Sequence, residues 1–160
     1  MAAFPQIGRK AEDPCQLWPD AEFRVLQQVS AIPILIDRNC TSVQDAQAFI
    51  DKGGFALSTK PGRIGLSEAR AINALAAAHG AKVAIGLYAE SALGTLINLQ
   101  QAAALAPAQT RVAAEQMFFL EMSDQVLTDT LSISQGRVHM PEALDVAGLI
   151  DCDKLRHYAL

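Results

Sequence analysis

Hydrophobic and polar positions fall into two kinds of segment that alternate along the chain. Ile32-Pro-Ile-Leu-Ile-Asp37, Phe55-Ala-Leu-Ser-Thr59 and Lys82-Val-Ala-Ile-Gly-Leu87 are apolar runs of strand length. They lack the alternation of a strand with one wet face, so they suit strands covered on both sides. Between them the spacing is helical. Pro19-Asp20 opens a helix to about residue 30, with Phe23, Leu26 and Val29 or Ser30 on its buried face. Thr41-Ser42 caps a helix over about 43–52, and Gly53-Gly54 ends it. A third helix, 66–79, carries Ile72, Leu75, Ala76 and His79 on one face and stops at Gly80. Glu90-Ser91 precedes a fourth, about 92–105, which Pro107 closes. Arg111-Val-Ala-Ala-Glu115 reads as a further, weaker strand.

Strand–helix units repeating at roughly 25 residues predict parallel strands with right-handed crossovers, an α/β chain. The ends differ. Residues 1–10 have no clear period and read as loop or a poor strand, and Pro14 stops any regular element there. Leu131 to Met140 reads as two short strands about Gln135-Gly136, and 151–158 as a terminal helix. No domain boundary or low-complexity segment interrupts the series.

Composition narrows the function classes. At 160 residues, about half of them apolar, the chain has the size of one ordinary domain. A net charge of −4 and the lack of a basic stripe argue against nucleic acid. No apolar run reaches membrane-spanning length, and residues 1–10 lack the apolar centre of a signal peptide. Cys15, Cys40 and Cys152 are odd in number and form no metal-binding spacing, which reads as reduced thiols in a cytoplasmic protein.

The candidate chemistry lies at strand ends. Lys60 stands at the carboxyl end of its strand, before Pro61-Gly62, where Pro-Gly is expected to break the strand into a loop. Glu12, Asp37, Glu90 and Glu115 hold comparable positions. In a parallel barrel or open sheet those ends share one face. Two adjacent carboxylates there repel each other unless a cation sits between them, and oxygen ligands favour a hard ion such as magnesium. A lysine beside that ion, partly desolvated, can serve as a general base. Arg63 pairs with such acids or is a surface residue. His79 reads as a helix-end histidine, and His139 and His157 have no partner motif.

The order Glu12-Asp-Pro, Ile32-Pro-Ile-x-x-Asp37, Lys60-Pro-Gly-Arg-x-Gly65 and Glu90-Ser-x-x-Gly-Thr95 resembles the carboxyl-terminal half of the enolase superfamily barrel, most of all its muconate cycloisomerase and mandelate racemase branch. Steps of 25 residues from Glu12 to Asp37, 23 to Lys60 and 55 to Glu115 are similar to that family's strand-to-strand steps. The resemblance implies a partial (β/α) TIM-type barrel of about four parallel units with a short β/α tail. It implies Glu12 and Asp37 as magnesium ligands, Lys60 as base, and Glu115 as the group stabilising the opposite side. Glu90 matches the glutamate ending the seventh strand, though a carboxylate before a helix also suits the helix dipole. The implied reaction is abstraction of the proton α to the carboxylate of a small acid through a magnesium-stabilised enediolate, leading to cycloisomerisation, racemisation or dehydration.

The chain departs from that pattern in places. The family's capping domain, Lys-x-Lys motif and first metal ligand have no counterpart in residues 1–10, so 1–160 is expected to be one truncated barrel domain. Arg38-Asn39 stands where many members have Glu-Ser, and Glu142-Ala-Leu-Asp-Val-Ala147 where a glycine-rich element is expected. Half a barrel has open edges, so the partner is expected to be a second copy or a missing barrel half. The competing expectation is a self-associating half-barrel with no activity alone; a small ligand-binding module without chemistry is a third.

Overall fold

The computed structural model describes residues 10–109, 114–129, 131–140 and 145–159. Four parallel strands form one sheet in sequence order: β1 (Ala11–Glu12), β2 (Ile34–Ile36), β3 (Ala56–Thr59) and β4 (Lys82–Ile85). Glu12 is in register with Leu35, Leu35 with Ala56, and Ala56 with Lys82. The sheet does not close into a barrel among the described residues. Every residue of β2 and β3 is buried, as unalternating apolar runs require.

Helices α1 (Ala21–Val29), α2 (Val43–Asp51), α4 (Leu66–Ala78) and α5 (Ala92–Ala103) form the crossovers. Their caps are the ones legible in the sequence. Asp20 accepts from the Phe23 amide at 2.9 Å, and Ser42 from the Asp45 amide at 3.1 Å. Gly53 ends α2 at φ +92°, a conformation that favours glycine. The main core lies between sheet and helices: Phe23 and Phe49 meet edge to face at 5.1 Å, against Ile34, Ile36, Leu57 and Ile72. The other face of the sheet carries a smaller cluster of Leu35, Ala56 and Ala84.

Glu12 ends a short strand, the strand-like position expected of it: the Ala11 amide donates to the Pro33 carbonyl and the Asp13 amide to that of Leu35. Other expectations are corrected. Pro61-Gly62 does not give a loop. Proline begins a short helix, α3 (Pro61–Ile64), since its fixed φ suits a first helical position and it has no amide to leave unpaired. β2 starts at Ile34 rather than Ile32, which is 38% exposed, and β4 ends at Ile85. Val29 is exposed, leaving Phe23 and Leu26 as the packed positions of α1. His79 is the exposed C-cap of α4 rather than part of its buried face.

Of the expected strand 111–115, residues 111–113 lie outside the described residues. On either side of them, the Val83 amide donates to the Gln109 carbonyl at 3.1 Å and the Glu115 amide to that of Ile85 at 3.2 Å. Backbone on both flanks therefore bonds to β4. The tail follows the sequence pattern: an antiparallel pair, β5 (Ser132–Ser134) and β6 (Arg137–His139), then α6 (Cys152–Tyr158) capped by Asp151. Residues 1–9 and 141–144, which carry the amino-terminal stretch and half of the Glu142 to Ala147 departure, lie outside the described residues.

Candidate active site

Strand direction brings chemistry-bearing residues to one rim. Asp37 follows β2 and Lys60 follows β3, so neighbouring parallel strands deliver both to their carboxyl ends. Lys60 Nζ donates to Asp37 Oδ2 at 2.7 Å, and the two side chains are only 14% and 13% exposed. Lys60 caps α3, and Arg63 sits in the same turn. Arg63 Nη2 lies 3.3 Å from Asp37 Oδ1 and donates to the Asp37 backbone carbonyl at 2.8 Å. Of the two readings open for Arg63, pairing with an acid is the one the structure adopts.

Gly86 makes room for this arrangement. A Cβ there would stand 2.7 Å from Lys60 Cε and 2.9 Å from Ser58 Oγ, so the lysine stem lies against bare backbone. The sequence offered one signal for it, a glycine within the apolar run 82–87, just beyond the end of β4. Glu90 lies beside the same turn: a Cβ on Gly62 would meet its Oε1 at 2.6 Å, while its Oε2 accepts the Tyr88 amide at 2.5 Å. Glu90 Oε1 is buried without a hydrogen-bond partner.

Glu12 and Glu115 gather at the adjoining part of the rim. With Lys10 and Ser58 they surround a small depression floored by Leu35 and Ala84. The Glu12 carboxyl is pushed above its ordinary range, first by burial and then by the charges of Glu115 and Asp37, with Lys60 and Lys10 opposing. Glu12 thus senses all three of the other expected site residues, while direct contact joins Lys60 to Asp37. Nearby, Cys40 is fully buried, and burial pushes its thiol up to about 12. Cys15 and Cys152 are exposed, and no cysteine is in a disulfide.

The donor chemistry here fits a hard divalent cation in kind. Asp37 Oδ1 is buried without a hydrogen-bond partner, with Arg63 Nη2 facing it at 3.3 Å, and the charged form of Glu12 is disfavoured by burial and by the charges of Glu115 and Asp37, which a cation would offset. Among the described residues no group of three or more His, Cys, Asp and Glu is gathered as a metal cluster.

Residues 9–147 match the family described as enolase C-terminal domain-like. The chain belongs to that family. Solved structures of similar fold accompany the match. The 2-chloromuconate cycloisomerase of Rhodococcus opacus 1CP is 28% identical, with a TM-score of 0.82, over 94% of this chain and 41% of that one. The muconate lactonizing enzyme of Mucobacterium smegmatis, complexed with muconolactone, is 29% identical, with a TM-score of 0.81, over 93% and 41%. The muconate lactonizing enzyme of Pseudomonas putida, 20% identical at a TM-score of 0.81, shows the same fold. This enolase-like chain therefore spans about two-fifths of the length of those structures. No curated protein matches it. Among the described residues no helix is long and apolar enough to cross a membrane.

Proposed function

We propose that the chain carries the proton-abstracting part of an enolase-type site acting on a small carboxylic acid. The observation that supports this reading most strongly is the 2.7 Å contact between Lys60 and Asp37 at the carboxyl ends of adjacent parallel strands, in a chain of enolase-like family. In its neutral form Lys60 takes the proton from the carbon next to the substrate carboxylate. Asp37 orients the amine. Glu115, across the rim, donates a hydrogen bond or a proton to the opposite side. Glu12 and Asp37 are the residues that would hold magnesium, which supplies positive charge against the negative charge developing on the substrate carboxylate. The family relation supports this magnesium-dependent class of chemistry and leaves cycloisomerisation, racemisation and dehydration open.

The test is exchange of the α-proton of muconolactone, the ligand of the Mucobacterium smegmatis structure, for solvent deuterium, followed by proton NMR with magnesium present. Exchange that requires the chain supports the reading. Its absence from a folded, magnesium-supplied chain over a panel of small carboxylic acids overturns it.

A second reading is favoured by the open sheet. Among the described residues strand β1 has two residues and pairs only with β2, and the four parallel strands leave the barrel unclosed. Under this reading the chain is an inactive half-barrel until a second copy or another barrel half covers its edges. Light scattering distinguishes the two: a monomer that catalyses exchange supports the first, and a silent self-associating species supports the second.

A further inference from the structure

Arg63 spends its bonds on a segment far from it in sequence. It lies one turn beyond Lys60, and its own amide donates to the Lys60 carbonyl at 2.8 Å. Its Nη2 donates to the carbonyl of Asp37 at 2.8 Å and reaches that of Cys40 at 3.4 Å, besides facing the Asp37 carboxylate. The 37–40 turn is closed by the Cys40 amide, which donates to the same Asp37 carbonyl at 3.0 Å. From the other side Asp13 accepts the amides of Asp37 and Arg38 at 3.2 and 2.7 Å. Asp37 is thus held at its amide by an acid and at its carbonyl by an arginine.

We infer that Arg63 is a positioning residue for the Lys60–Asp37 pair. Lys60 and Arg63 leave one short helix, so the grip of Arg63 on the 37–40 turn sets where α3 sits against the end of β2. The lysine amine meets the Asp37 carboxylate as a consequence. The guanidinium brings its Nη2 against both carbonyls and the carboxylate, while its Nε is buried without a hydrogen-bond partner; an ammonium is a point charge on a flexible stem. The inference rests on Lys60 being the base of the proposed reaction, but it concerns geometry that exists without substrate.

The test compares the full wild-type chain with Arg63→Met and Arg63→Lys by two readouts. One is the rate at which acetic anhydride acylates Lys60, read from its peptide by mass spectrometry. The other is hydrogen exchange at the Arg38 and Cys40 amides. Loss of a hydrogen bond to a charged group predicts acylation about ten-fold faster in Arg63→Met. The Arg38 and Cys40 amides lose protection, those of β3 and β4 keep it, and Arg63→Lys falls between. Unchanged Lys60 acylation overturns the inference, as does protection lost equally across β3 and β4. Should Arg63→Met fail to fold, Arg63→Lys decides by the same two readouts. Neither readout involves substrate, so a failure of α-proton exchange leaves this result standing, and the reverse also holds.

Discussion

Lys60 Nζ and Asp37 Oδ2 stand 2.7 Å apart, 23 residues apart in the chain, because β2 and β3 are adjacent and run in the same direction. Asp37 counters two cations at once, Lys60 and Arg63. Asp37→Asn leaves both without their counter-charge in a half-buried site. It is expected to lower stability by about 2 kcal/mol, read as a shift in the urea midpoint at unchanged slope. A midpoint equal to wild type would mean that solvent already satisfies both cations.

Glu12 is expected to behave in the opposite way. Its carboxyl is held above the ordinary 4.5, so the folded chain binds that proton more tightly than the unfolded one. Its contribution is therefore most favourable below pH 4.5 and declines as pH rises through the raised value. Glu12→Gln should stabilise the metal-free chain at neutral pH and leave it unchanged in acid. Magnesium should then raise the melting temperature of wild type more than that of the variant. Equal responses would separate Glu12 from cation binding.

Gly86→Ala tests the close approach of the lysine stem. The added methyl meets Lys60 Cε at 2.7 Å and the Oγ of the buried Ser58 at 2.9 Å. Overpacking of this kind should cost about 1–3 kcal/mol. It should also lower α-proton exchange beyond what the loss of folded chain explains. A variant as active and stable as wild type would show that Lys60 does not lie along β4.

The core and the rim were legible to different extents. The β2 and β3 runs, the caps at Asp20 and Ser42, and the stop at Gly53 follow from local patterning, and they form as the pattern requires. The meeting of Lys60 with Asp37 was legible because strand-end residues of a parallel sheet share a face. The two-residue β1 was legible as no more than a strand-like position ending at Glu12, since Ala11 and Glu12 carry no apolar run of their own and pair along the edge that β2 offers. Helix α3 was hidden because Pro-Gly signals a break more often than a helical start. The hold of Arg63 on the Asp37 and Cys40 carbonyls depends on a tertiary approach of α3 to the 37–40 turn, and sequence spacing contains no trace of it.

The carboxyl-terminal helix should respond to pH at both extremes. Asp124 accepts from Lys154 at 2.7 Å and from Tyr158 at 3.0 Å, which holds its carboxyl down to about 2. A depressed acid contributes stability above its ordinary 3.8, and that contribution is lost as pH falls toward 2. Lys154 is raised above 10.5 by the same contact, so its contribution is lost as pH climbs past that value. Hydrogen exchange in α6 should be slowest between those limits. A profile flat in acid would place the anchorage of α6 elsewhere.

Exchange of an α-proton for deuterium by the Lys60→Ala chain, with and without added primary amines, tests the central claim most directly. Loss of a positioned general base should slow exchange by about 10²–10⁴-fold relative to wild type, and an external amine small enough to enter the vacated space should restore part of it. A Lys60→Ala chain that exchanges as fast as wild type, with no response to amines, would contradict the assignment of Lys60 as the base.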